Sequence, residues 1–133
     1  MSVALFIVPE TEIEGFDTFV NGKFIGQESD QTIDKFCKKV GVPSLYEFVS
    51  QDPDELADFI GGEGVGVSDN LPALEWFEAE SGLKTVRAML IGLDSGDSPF
   101  KNTIGVIEDL KDYEAVLQRL ATEGIRWHME VDF

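Results

Sequence analysis

The chain has one cysteine and one histidine in 133 residues, and ten basic side chains against twenty-six acidic ones. Each shortage closes a class of function. A lone thiol, Cys37, cannot form an internal disulfide, which points to a reducing compartment and makes the cytoplasm the expected location. One cysteine and one histidine cannot supply a normal zinc ligand set. The N-terminal apolar run Val3–Val8 is far too short to span a bilayer, and no base precedes Lys23, so the positive segment of a signal peptide is missing. The shortage of bases leaves a formal charge of −16. A surface of that sign repels nucleic-acid phosphates and anionic lipid, so neither is an expected partner, whereas cations and basic protein patches are attracted.

Several chemical motifs are also missing. Gly61–Gly66 has the glycines of a phosphate loop but not the Gly-Lys-Ser/Thr triplet, and Glu63 would set a negative charge beside the phosphate. No Gly-x-Ser-x-Gly elbow is present for a serine nucleophile. Three carboxylate groups stand out: Asp52, Asp54 and Glu55; Glu75, Glu78 and Glu80; and Asp94 with Asp97. None follows the order of a calcium loop, and no Glu-x-x-His pair supports a di-iron site. Weak divalent-cation binding by surface charge is the most these groups imply, and no metal site or cofactor is expected. Cys37 lies on the apolar stripe of its helix, where a cysteine is a small core residue and not a nucleophile.

What the chain does have is a core. Its composition is 43 % hydrophobic with ten phenylalanines, which disordered acidic chains lack. A chain of this length forms one domain, here residues 1–133, and buries roughly two-thirds of its unfolded surface. Acids outnumber bases in every quarter of the chain, so the acidity belongs to a folded surface and not to a tail.

Val3–Val8, closed by Pro9, reads as a buried strand. Asn21-Gly22 suits a tight type I′ turn, so Thr18–Val20 and Lys23–Ile25 are expected to pair as a short hairpin. Residues 31–40 repeat Ile33, Phe36, Cys37 and Val40 on one helical face, with Ser29 or Asp30 capping the start and Gly41 the end. Ser44 is placed to cap a short helix through Phe48, and Asp52-Pro53 to start another through Ile60. The glycine-rich stretch Gly61–Asn70 reads as a connector, or as a lid over a neighbouring cleft, with Leu74, Trp76 and Phe77 anchoring its far end. Ser81 opens an amphipathic helix through Leu93, and a second runs from Asp109 to Gly124; Asn102–Glu108 reads equally as strand or helix. The last nine residues alternate. Ile125, Trp127, Met129, Val131 and Phe133 face one way, and Arg126, His128, Glu130 and Asp132 face the other.

These elements define an α+β fold: a small mixed or antiparallel sheet holding both the N- and C-terminal strands, covered on one side by helices 31–40, 83–93 and 110–122. The candidate site is the Arg126–His128–Glu130–Asp132 face, with its side chains about 7 Å apart along the strand. The plainer reading makes it the solvent face of a strand. The chemical reading makes His128 a general base oriented by Glu130, with Arg126 holding an anion. Two functions are compatible with this face. The first is a non-catalytic interaction or regulatory protein, binding a basic patch or a second copy of itself through it. The second is a small enzyme or ligand-binding protein with a cleft between His128 and the Gly61–Asn70 loop.

Overall fold

The computed structural model describes residues 4–18, 20, 22–50 and 75–132. Strand β1 (Ala4–Pro9) pairs antiparallel with strand β2 (Trp127–Asp132), with Phe6 opposite Glu130 and Val8 opposite His128. The sheet therefore joins the two ends of the chain, and the fold is α+β as the periodicities imply. The second edge of β2 is also occupied. The Phe77 N–H donates to the Trp127 carbonyl at 2.7 Å and the Trp127 N–H to that of Phe77 at 3.0 Å, while the Ser50 N–H donates to the Met129 carbonyl.

Among the described residues four helices surround this ribbon: α1 (Lys23–Gly26), α2 (Asp30–Val40), α3 (Ala79–Asp94) and α4 (Thr103–Glu123). A 3-10 turn, Leu45–Phe48, comes after α2, and Ser44 caps it by accepting from the Tyr46 N–H. α2 ends at Gly41, whose φ of 82° lets the chain reverse while the Val42 N–H reaches the Cys37 carbonyl. Its start is tied by the Asp30 carboxylate, which accepts from the Gln31 N–H, and not by Ser29. α2 packs mainly on α3 and the 3-10 turn, and the closest partner of α4 is α3. No helix among the described residues is long and apolar enough to cross a membrane.

Three expectations need correction, and one that was open between strand and helix is resolved. Lys23–Ile25 is not the second arm of a hairpin but lies within α1. Gly22 does take a positive φ, 63°, but it leads into a helical turn, and a Cβ there would strike the Leu5 carbonyl of β1. The buried carboxylate of Asp109 settles that turn by accepting the Ile25 N–H at 3.0 Å. A helix begun at Ser81 is likewise revised: α3 opens at Ala79 with Glu78 as its N-cap, so Ser81 sits inside it. The ambiguous stretch 102–108 is helical from Thr103, because Asn102 caps α4 by accepting the Gly105 N–H at 3.0 Å. Coverage of the sheet on one side only also fails, since Trp127, His128 and Met129 are three consecutive buried residues. Successive strand residues face opposite ways, so both faces of β2 are covered. The expected helix from Asp52-Pro53 and the Gly61–Asn70 loop lie outside the described residues.

The inner face of β2 meets α3 at closest range. Gly82 lies under the Trp127 ring, where any side-chain carbon would collide with it. Trp127 also stacks on Phe48 at 5.1 Å, and its indole N–H donates to the Glu78 carbonyl. Because both sheet strands lie at the chain ends, deleting residues 125–133 removes the buried Trp127 and Met129 together with the strand that pairs with β1. The truncated chain is expected to lose its cooperative thermal transition by circular dichroism, and a retained sharp transition would refute this dependence on β2.

Candidate functional site

Antiparallel pairing sets the outer face of the sheet: Phe6 beside Glu130, Val8 beside His128, and Glu10 beside Arg126 at the end of the ribbon. Arg126 is half exposed and forms a two-pronged pair with Glu10, Nε to Oε1 at 3.1 Å and Nη2 to Oε2 at 2.7 Å. The hydrogen bonds and charge of Glu10 raise its pKa further above the usual arginine value, and Glu78 adds to this. Its anion is thus already supplied from within the chain.

His128 departs most from expectation. It is 1 % exposed, so the strand face on which it sits is not a wet one there. The Trp76 ring covers it with centroids 4.3 Å apart and planes 34° from parallel. Nε2 lies 2.8 Å from the Glu130 carboxylate, the pairing expected from the sequence, and Nδ1 lies 3.2 Å from the Glu75 backbone carbonyl. Both neighbours are acceptor oxygens and a neutral imidazole carries one N–H, so the tautomer decides which of the two contacts is a hydrogen bond. At this burial neither ring nitrogen opens to solvent, and Trp76 lies over the ring. The face therefore brings His128 and Glu130 together, holds Arg126 on Glu10, and leaves the Asp132 side chain outside the described set.

Cys37 is fully buried on α2, and burial, followed by the nearby charges of Asp34 and Glu47, pushes its thiol up to about 11. At neutral pH almost none of it is thiolate, so it packs and does not attack. Glu75, Glu78, Glu80, Asp94 and Asp97 are exposed. Among the described residues, no three acidic, histidine or cysteine side chains come close enough to hold a metal ion. The 52–55 carboxylates lie outside the described residues.

Two buried carboxylates carry no motif in the sequence. Glu28 accepts the N–H groups of Lys101 and Asn102, both at 3.0 Å, and so ties the end of α1 to the start of α4. Asp109 holds the first turn of α1 from the middle of the fold, and burial raises its pKa above the ordinary value despite the Ile25 and Phe24 N–H groups that favour the charge. Asp109 did leave a sign. Val106, Asp109, Leu110 and Tyr113 share one face of α4, and a carboxylate on an otherwise apolar stripe demands donors. Trp76 over His128 left none, since nothing local links residues so far apart along the chain.

Comparison with known proteins gives no match: no family, curated protein or solved structure resembles the chain significantly.

Replacing His128 by Ala opens a hole under Trp76 and strands the Glu130 carboxylate and the Glu75 carbonyl. The expected loss is about 2–4 kcal/mol in urea unfolding, and a loss under about 0.5 kcal/mol would sink the structural role. For Asp109 the linkage runs from its raised pKa. The native state holds this proton more tightly than the unfolded chain does. Its contribution is therefore fully present below the unfolded value near 3.8 and declines as pH rises through the native value. Asp109→Asn removes that decline. The stability difference between variant and native protein should shift towards the variant from about pH 4 to about pH 7, and a pH-independent difference would contradict it.

Proposed function

We propose that this protein is a non-catalytic interaction or regulatory domain, whose acidic surface binds a basic patch on a protein partner. The observation that carries this reading is the engagement of the side chains best suited to catalysis. His128 is buried under Trp76 with an acceptor oxygen beside each ring nitrogen, Arg126 is held by Glu10, and the Cys37 thiol is buried and protonated. Exposed carboxylates flank the sheet. Glu75, Glu78 and Glu80 are exposed beside the sheet, and Glu78 lies close enough to act on the charge of Arg126. A net charge of −16 at an exposed surface speeds encounter with basic proteins and disfavours nucleic acid and anionic membrane. A single buried thiol is compatible with cytoplasmic residence.

The test compares immobilised native protein with the triple variant Glu75→Lys, Glu78→Lys, Glu80→Lys in capture from lysate. Partners identified by mass spectrometry should be basic, should elute between about 50 and about 500 mM salt, and should be lost from the variant. Partners that persist at high salt, or that bind both proteins equally, would overturn the reading.

A further inference from the structure

The arginines and lysines of this chain are used differently. Arg87 pairs with Glu114, Arg119 with Glu123 while lying over the Phe16 ring, and Arg126 with Glu10. Lys35 and Lys39 make no ion pair among the described residues, although acids outnumber bases in the chain by twenty-six to ten. They lie one turn apart on α2, a like-charge spacing that is unfavourable for a helix on its own account. Both line a cavity of about 430 Å³ between α2 and the segment after α3, with Phe36 and Pro99 supplying apolar wall and Asp97 a carboxylate. Phe36 is fixed there by the edge of Phe100, ring centroids 5.3 Å apart. That volume falls in the range of small-molecule sites.

We propose that this cavity is a binding site for a phosphate monoester carried on a hydroxyl-bearing body, such as a sugar phosphate or a nucleoside monophosphate. Two ammonium groups on adjacent turns match the two charges of a monoester dianion, where a carboxylate would satisfy only one. Asp97 is an acceptor only and repels a bare anion, so the ligand has to bring donors, which ribose-like hydroxyls supply. Pro99 and the rim of Phe36 receive the carbon skeleton. The site is separate from the terminal sheet face and stands whether or not that face binds a protein.

The experiment is an amide chemical-shift titration of the full chain, using ribose 5-phosphate, adenosine 5′-monophosphate and inorganic phosphate in parallel. Saturable shifts at Thr32, Lys35, Lys39 and Ser98 are expected with at least one ester, at an affinity at least tenfold above that of inorganic phosphate. Tighter binding of the nucleotide assigns the site to nucleotides, and equal binding to sugar phosphates. The double variant Lys35→Gln, Lys39→Gln should lose at least tenfold in ester affinity with an unchanged thermal transition, because both side chains are exposed. Asp97→Ala should weaken the ester while strengthening inorganic phosphate. The proposal is overturned by an absence of saturable shifts, by inorganic phosphate binding as well as the esters, or by lysine variants that bind like the native chain.

Discussion

Strand β2 can be buried only if both of its edges and both of its faces are satisfied, and most of the molecule is arranged around that requirement. Trp127, His128 and Met129 are buried in succession, which no strand with one wet face allows. The backbone is paired by β1 on one edge and by Phe77 and Ser50 on the other. The inner face admits the Trp127 ring only because α3 offers Gly82 there, and the outer face is closed over His128 by Trp76. A buried tryptophan of this kind contributes about 3–5 kcal/mol by the cost of its truncation to Ala, comparable with a large part of a small domain's net stability.

Polar groups then decide how the helices attach. Asp109 and Glu28 are carboxylates placed where water is scarce, and each is satisfied by backbone N–H groups far away in sequence. The Tyr113 hydroxyl donates to the Leu5 carbonyl from the same face of α4. Among the described residues, no buried side-chain polar atom is left without a partner. Bonds of this sort add modest net stability, but they are costly to break on one side only, so they exclude alternative packings more than they deepen the native one.

The same economy shapes the surface. His128 and the Cys37 thiol are buried and the three arginines are ion-paired at the surface, while exposed carboxylates flank the sheet and two lysines line the α2 cavity. An acidic surface acts through long-range attraction and is tuned by salt, whereas a two-lysine cavity acts at contact range and depends on ligand shape. The two proposed roles share no residue.

Helix α2, the terminating glycines 41 and 124, the short turn capped by Ser44 and the alternation of β2 were all legible in the sequence, because each rests on contacts between residues close along the chain. The pairing of His128 with Glu130 was legible for the same reason, since a period of two places them side by side. The conformation of Lys23–Gly26 was not. Asn-Gly specifies a positive φ, but Asp109, more than eighty residues away, specifies the helical turn that the chain enters after Gly22. Nor was the state of the candidate site. Alternation reports which side chains share a face and is silent about what covers that face. For His128 the cover is Trp76, brought in by the pairing of Phe77 with Trp127, so chain-distant packing alone decided that this side chain belongs to the core.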